Sequence, residues 1–148
     1  MTLSAVVETI LWPLCSGIIS WLVAHYVANK RINDARLWDL IQRAESQVDI
    51  IDLKACAYWE AGHCPSASQY SRELQVMLRD LASMINKVKN LCPKQKEALL
   101  NRMTAFRKSV TLDFENTKRS KLPSNAPKLK DISEEATALR ELLSDLAP

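Results

Sequence analysis

The chain opens with an apolar run, Leu3 to Ala28, that only Glu8 and His25 interrupt. The last 20 residues of this run, from Thr9 to Ala28, contain no Asp, Glu, Lys or Arg. An α-helix needs about 20 predominantly apolar residues to cross the hydrocarbon core of a bilayer. The pattern therefore predicts an N-terminal transmembrane helix within residues 1–29.

After this run the hydrophobic positions recur every three or four residues, which is the spacing of amphipathic helices. Gly62 stands where a glycine commonly follows the end of a helix. A capping box formed by Ser66 and Gln69 predicts the start of a second helix. Pro93 ends that helix and suits the first turn of a third.

The last helix follows a segment, residues 118–130, in which two prolines lie among serine and asparagine, so we expect a loop there. Asp131 with Glu134 can cap the helix that follows it. Short connections between helices favour antiparallel neighbours. The sequence therefore predicts an all-α fold, with one N-terminal transmembrane helix and then a cytoplasmic four-helix bundle over residues 30–148. The helices of the bundle are expected at about residues 30–61, 67–90, 94–117 and 132–146.

All 20 Lys and Arg residues lie after the apolar run. Because the cytoplasmic flanks of membrane helices carry the excess of positive charge, we expect the N-terminus outside and the long C-terminal part in the cytoplasm. A cleaved signal peptide fits poorly, since no basic segment precedes the run and no small-residue cleavage site follows a short apolar core.

Within the predicted span, Pro13, Ser16, Gly17 and Ser20 fall in one sector of the helix circumference. Small residues let membrane helices approach closely, so this stripe suggests self-association of the spans. An ordinary anchor in which these residues have no role is the alternative. Glu8 is the costly residue of the run: it either has a function inside the membrane or reaches the outer headgroups from near the chain terminus.

The composition favours helices over sheets, because the 148-residue chain has only two glycines and is rich in good helix formers. The part after the span, about 120 residues, is long enough for one small domain with its own core. Four cysteines would suit two disulfides, but the expected cytoplasmic side is reducing. We therefore expect free thiols.

Catalytic and metal-binding motifs are scarce. Cys56, His63, Cys64 and Cys92 could in principle form a tetrahedral zinc site, but the close-paired spacings usual for zinc are missing. A thiol nucleophile paired with His63 fits less well still, because sequence neighbours rarely adopt the geometry of a catalytic pair. No glycine-rich phosphate loop is present. We expect neither an enzyme nor a bound metal or cofactor.

Charge is distributed unevenly along the chain. Residues 85–130 hold 12 Lys and Arg against 3 Asp and Glu, whereas residues 131–148 hold 1 against 5. The basic block suits three interpretations: a solvated surface partly neutralised by the last helix, a contact with anionic lipid headgroups, or a site for a phosphorylated ligand. The candidate ligand-binding residues are Arg72, Lys87, Lys89, Asn90, Lys94, Lys96, Arg102, Arg107, Lys108, Lys118, Arg119 and Lys121.

The organisation of the chain is an apolar span, TILWPLCSGIISWLVAHYVA, followed by a compact and locally basic helical domain without a catalytic motif. This organisation resembles that of small membrane-anchored effectors of bacterial antiviral defence. In particular it is similar to the ancillary membrane proteins of type III CRISPR systems, which bind a cyclic oligoadenylate second messenger. The likeness covers the whole chain as organisation and involves no diagnostic motif.

The resemblance implies a homo-oligomer, for example a tetramer, in the bacterial inner membrane. Its partners would be the lipid bilayer and a cyclic oligonucleotide, with no duplex nucleic acid. The helical domains would bind the cyclic nucleotide between subunits through basic side chains. Binding would then alter the spans and permeabilise or depolarise the membrane.

Two other functions fit the same organisation. One is a single-pass tether, or adaptor, whose bundle docks a protein partner. The other is a phage lysis protein such as a spanin subunit, which also has an N-terminal span and a helical remainder. Breaks at Pro65, Pro93, Pro123 and Pro127 favour a folded-back bundle over a long coiled coil. A spanin also needs the opposite topology.

Overall fold

The computed structural model describes residues 12–62, 67–112, 114 and 121–147, and their side chains from Cys15 onward. Its α-helices are α1 (Trp12–Ala61), α2 (Ala67–Leu91), α3 (Lys96–Thr111) and α4 (Pro127–Ser144). A 3₁₀ turn, Pro93–Gln95, connects α2 to α3. No strand occurs among the described residues, and the predicted all-α fold is confirmed.

The chain forms two compact units, Met1–Arg36 and Leu37–Pro148. In the first unit α1 exposes its large apolar side chains on all sides, including Trp21 at 64% and Tyr26 at 70% exposure. Among the residues that the structure describes, no helix is both long enough and apolar enough to cross a membrane. Residues 1–11 of the segment 1–29, in which the span is predicted, lie outside the described residues.

The second unit, here called the bundle, contains the rest of α1 with α2, α3 and α4. Successive helices run antiparallel. Among the residues that the structure describes, three ion pairs join neighbouring helices of the bundle: Lys54 with Glu73, Arg102 with Glu135, and Arg140 with Asp49. Viewed along the bundle axis, the four helices form a square in which α1 and α3 are each neighbours of both α2 and α4. Helices α2 and α4 therefore occupy opposite corners.

The core consists of the apolar stripe that each helix turns inward. Its largest fully buried side chains are Ile41, Val48, Ile51, Leu74, Leu81, Ile85, Val88, Leu99, Phe106, Ile132, Leu139 and Leu143. Tyr70, Leu91 and Leu100 follow the same periodicity but are exposed by 48%, 39% and 37%. Tyr70 and Leu91 lie in the first and last turns of α2, where neighbouring helices cover a side chain only partly.

Helix α3 ends at Thr111, six residues before the predicted end at residue 117. Leu112 follows in an extended conformation, with φ −58° and ψ 127°. The cause is tertiary: the ring of Phe114 packs on α1, with its centroid 5.0 Å from that of Tyr58 and 5.8 Å from that of Trp59. These aromatic contacts outweigh the helix propensity of Leu112 and Phe114.

Helix α4 begins at Pro127 and not at residue 132, and its N-cap is Ala126. A proline at the first helical position needs no partner for an N–H and already has a helical φ. The extra turn buries Leu129, which extends the apolar stripe. The predicted capping box of Asp131 with Glu134 is therefore wrong. The last four residues of the predicted loop, 127–130, belong to the helix. Ser66, which belongs to the other predicted capping box, lies outside the described residues.

The end of α1 and the segment before α4 approach each other closely. Gly62 follows α1 with φ +69°, as predicted for a glycine after a helix end. The N–H of Leu122 donates to the carbonyl oxygen of Trp59 at 3.3 Å. A Cβ atom on Gly62 would lie 2.9 Å from both the Cα and the N atom of Lys121, so the approach requires a glycine.

The indole of Trp59 joins three helices at the same end of the bundle. Its Nε1 donates to the carbonyl oxygen of Val110 at 3.2 Å. The ammonium of Lys128 lies 4.7 Å from the ring centroid and donates to the carbonyl oxygen of Leu112 at 2.9 Å. We call this end, with Gly62, the clasp end. The opposite end, with the 3₁₀ turn Pro93–Gln95, is called the turn end.

Replacing Gly62 with alanine should lower the free energy of unfolding by about 2–4 kcal/mol. A side chain at positive φ costs about 1–3 kcal/mol, and the contact with the Lys121 backbone adds overpacking strain of similar size. The measurement is equilibrium unfolding of the full chain in urea, followed by circular dichroism.

Gly17→Ala is the matched control, because a Cβ at Gly17 meets nothing within 4 Å and alanine is the better helix former. Its expected effect on stability is neutral to slightly favourable. Equal losses of stability in the two variants would contradict the account of the Gly62 turn.

Candidate functional site

The cations around the 3₁₀ turn come together at the turn end. Lys87 lies in the last two turns of α2, Lys94 within the 3₁₀ turn, and Lys96 at the first position of α3. All three side chains are exposed, and none makes an ion pair within the part of the chain that the structure describes. Lys89 is half-buried and donates to Oδ1 of Asn86 at 2.9 Å.

The N-terminus of α3 lies among these cations, but its first backbone donors have acceptors in the 3₁₀ turn. Gln95 is the N-cap of α3 and forms no side-chain capping bond. The N–H of Gln95 donates to the carbonyl oxygen of Cys92 at 3.2 Å, and the N–H of Lys96 donates to the carbonyl oxygen of Pro93. Glu97, in the first turn, is the acidic residue closest in sequence. The exposed cations suit a phosphate-bearing ligand, and exposed Asn90 completes the group.

The other predicted ligand-binding residues that the structure describes do not join this group. Arg107 and Lys108 lie in the last turns of α3, about 18 Å along the helix from its start. Lys121 is exposed at the clasp end, beside Gly62. Arg72 is exposed near the start of α2, about 22 Å along that helix from its last turns.

Arg102 Nη1 lies 3.7 Å from Glu135 Oε2 on α4, so its charge is used between helices. Lys118 and Arg119 lie outside the described residues. The single basic surface suggested by the sequence is therefore divided in the structure, and the turn end holds Lys87, Lys89, Asn90, Lys94 and Lys96.

The predicted membrane-span residues are placed only in part. Glu8 lies outside the described residues, and Pro13 lies in α1 with its side chain outside them. Ser16 and Ser20 are exposed, and nothing approaches within 4 Å of a Cβ at Gly17. The polar groups that stand out farther along this helix are His25, whose ring stacks on Trp21 at 5.5 Å, and Asn29, whose Nδ2 lies 3.0 Å from His25 Nε2.

A polar seam between α1 and α4 was not foreseen from the sequence. Ser133 donates to Oδ1 of Asp52 at 3.0 Å, and the Sγ of Cys56 lies 3.6 Å from the same oxygen. One turn away from Asp52, Arg140 Nη1 lies 2.6 Å from Asp49 Oδ1. The acidic residues of α1 recur at helical spacing along one flank, and that periodicity is the signal that could have indicated a polar contact.

A pocket of about 420 Å³ opens beside this seam at the clasp end. Its lining residues are Cys56, Glu60, Ser124, Asn125, Leu129, Lys130 and Ser133. Burial raises the pKa of the Cys56 thiol, and the nearby carboxylates of Asp52 and Glu60 raise it further. The thiolate is the nucleophile and the metal ligand, so these surroundings make Cys56 a poor candidate for either role.

The hypothetical zinc set does not come together among the described residues. Cys56 lies near the clasp end, whereas Cys92 lies at the turn end, where burial raises the pKa of its thiol. No group of three His, Cys, Asp or Glu suited to a metal occurs in the described part of the chain. His63 and Cys64 lie outside it. Cys15, Cys56 and Cys92 are free thiols.

Comparisons of this chain with protein-family models, with curated proteins and with solved structures find no match. Function is therefore inferred from the chemistry of the turn end and from the exposed apolar surface of the first unit. The turn end offers exposed cations to an anion, and the helix of the first unit exposes large apolar side chains.

Alkylation of Cys56 near pH 7.5 should be at least tenfold slower in the native chain than in the urea-unfolded chain. A raised thiol pKa leaves less thiolate at this pH, and the rate should increase about tenfold per pH unit until the thiol titrates. The measurement uses a variant in which Cys15, Cys64 and Cys92 are serine. The counterpart that keeps Cys15 alone, an exposed position, is the control and should show little protection.

Proposed function

We propose that the protein is an oligomeric, membrane-anchored effector whose helical domain binds a cyclic oligonucleotide at the turn end. Antiviral defence through permeabilisation or depolarisation of the bacterial inner membrane is the biological role that this organisation suggests. The observation that carries the proposal is the set of exposed lysines, Lys87, Lys94 and Lys96, that remain without an ion pair in the described chain.

Binding of a phosphodiester ligand follows from the chemistry of this end. Each lysine can neutralise one phosphate, and the contacts are sequence-independent and sensitive to salt. Asn90 and Asn86 add amide groups that can pair with base edges. A ring of phosphates with bases around it would use both kinds of group. A duplex would need a longer continuous basic surface than one end of a bundle provides.

Membrane anchorage is supported by the first unit. Its helix exposes Ile18, Ile19, Leu22 and Val23 by more than half, and exposed apolar surface of this extent needs a lipid or protein cover. Lys30 and Arg31 follow directly, as expected for the cytoplasmic flank of a span. The proposed orientation therefore has the bundle in the cytoplasm.

A ligand can change the membrane only if it binds one arrangement of the oligomer better than another. In the proposed mechanism the cyclic ligand contacts lysines from more than one copy. The negative charge of the ligand offsets the repulsion between these lysines and so favours the arrangement of the oligomer in which the turn ends are close. As the population of this arrangement increases, the arrangement of the membrane spans would change with it.

The second candidate is a membrane tether that docks a protein partner through the bundle. The observation that favours it is the pair of exposed apolar residues on the outer surface of α1, Ile50 at 42% and Leu53 at 72% exposure. Such residues suit a protein contact better than an anion. The tether needs the same topology but no nucleotide.

Removing two charges at the turn end should weaken ligand binding at least tenfold. The variant is Lys94→Gln with Lys96→Gln, and a tenfold change in Kd corresponds to about 1.4 kcal/mol. The measurement is calorimetric titration of the full chain in detergent with cyclic oligoadenylates of four and six nucleotides and with linear oligomers of the same lengths.

The matched control for this titration is Arg107→Gln with Lys108→Gln, which removes the same charge near the clasp end. The affinity of this variant for the cyclic ligand should stay within about twofold of that of the unsubstituted chain. This range includes the small loss expected from the change in net charge. Equal losses in both variants would contradict the assignment to the turn end. Absence of binding to every cyclic species would favour the tether.

Fusions at the C-terminus should report the bundle on the cytoplasmic side. A reporter that is active only in the cytoplasm should be active, and alkaline phosphatase, which needs the oxidising periplasm for its disulfides, should be inactive. Phosphatase activity would contradict both the effector and the tether, and it would restore the spanin hypothesis.

A further inference from the structure

The outward face of α2 carries two arginines with an apolar residue between them. Arg72 and Arg79 are exposed and make no ion pair within the described residues, and Val76 is 51% exposed. Their spacing, i, i+4 and i+7, puts all three on one side of the helix, with the arginines about 10.5 Å apart along its axis. Asp80 is exposed and lies seven residues after Glu73, on the side of α2 where Glu73 contacts Lys54 of α1, at the edge of this basic face.

The outward face of α4 has the same spacing with the opposite charge. Glu134 and Glu141 are exposed, and Ala138 between them is half-buried. Glu134 lies 3.4 Å from Lys130 of its own helix, but both side chains are mostly exposed, and such pairs contribute little. Glu141 makes no ion pair among the described residues.

The two faces lie at similar heights in the bundle. The contact of Lys54 with the residue that follows Arg72 places Arg72 level with about residue 55 of α1. The contacts of Asp52 with Ser133 and of Asp49 with Arg140 place Glu134 level with about residues 51–55 of α1. Arg72 and Glu134 therefore lie within about four residues of each other along the bundle axis, or about 6 Å. Helices α2 and α4 also run in the same direction.

Because α2 and α4 occupy opposite corners, the two faces point away from each other and cannot meet within one copy. A neighbouring copy in the same orientation can bring its α4 face to the α2 face of the first. The facing pairs would then be Arg72 with Glu134, Val76 with Ala138, and Arg79 with Glu141.

We propose that copies of this chain associate side by side, with α2 of one copy against α4 of the next. Such a contact is heterologous, and faces on opposite corners favour open rows over small closed rings. The inference rests on the proposed function in one respect, because a membrane would give neighbouring copies the shared orientation that the contact needs.

Two exposed ion pairs and one small apolar contact make a weak interface in free solution. Confinement of copies to a membrane raises their effective concentration and compensates for this weakness. The contact is also sensitive to salt, because the Debye length shortens from about 10 Å at 0.1 M to about 3 Å at 1 M. Rows should therefore form at low salt and come apart at high salt.

The test is sedimentation velocity of the full chain in detergent, without nucleotide. At about 50 mM salt the mass should increase with protein concentration, and at about 1 M salt it should not. Arg79→Glu alone and Glu141→Lys alone should each raise the dissociation constant at least tenfold. The double variant, Arg79→Glu with Glu141→Lys, should restore association, because each exchanged charge meets its opposite on the next copy.

Arg43→Glu is the control for charge reversal, since Arg43 is exposed on α1 and lies on neither face. Its association should match that of the unsubstituted chain. The proposal is overturned if association persists unchanged in the two single variants, if the double variant fails to restore it, or if no association occurs at low salt.

Calorimetry with the cyclic oligoadenylates separates this proposal from the proposed function. Glu141→Lys should lose the salt-sensitive association but still bind the cyclic ligand, because the proposed ligand contacts are the lysines of the turn end and not residue 141. Ligand binding without salt-sensitive association would overturn the rows alone. Salt-sensitive association with charge-swap rescue, but without ligand binding, would overturn the nucleotide site alone.

Discussion

The fold depends on burying four apolar stripes at once, which short connections allow only if the chain reverses at each of them. Gly62 and the 3₁₀ turn after Leu91 make two of these reversals. Reversal has an electrostatic consequence, because residues that are close in sequence are sent to opposite ends of the bundle. The basic block of residues 85–130 is thereby divided, and neither end carries the full charge of the block.

Apolar burial alone leaves the rotational setting and the height of each helix poorly specified, since many side chains of similar volume can fill a core. The seam between α1 and α4 supplies that specification. Asp52 accepts from Ser133, and Asp49 pairs with Arg140, so the two contacts lie about one helical turn apart on α1 and about two turns apart on α4. Moving either helix by one residue would break both contacts together.

Much of the fold could be predicted because the relevant signals are local. Periodic apolar residues and the glycine at 62 need no knowledge of distant contacts. The start of α4 could not be predicted from Asp131 and Glu134, because burial of Leu129 extends the helix backward. The end of α3 depends on Phe114 meeting the rings of α1, which lie more than fifty positions earlier.

The candidate site was predictable in its residue types but not in its grouping. Lys94 lies in the proline turn and Lys96 directly follows it, so the two stay together in any fold of these helices. Whether Arg107 or Lys121 joins them depends on the direction of α3 and on where the chain returns, and both are tertiary properties. Cys56 shows the same limit, since its pairing with Ser133 joins positions 77 residues apart.

The clasp end and the turn end also differ in how their backbones are held. At the clasp end, side-chain donors from α1 and α4 hold the carbonyl groups of Val110 and Leu112, and the chain before α4 bonds to Trp59. At the turn end, the described hydrogen bonds of the connection are local, from Cys92 to Val88 and from Gln95 to Cys92. Opening free energy should therefore vary along α3 itself. Amide protons near Val110 would exchange with solvent later than those near Leu99, so the bundle would loosen first where an anion would bind.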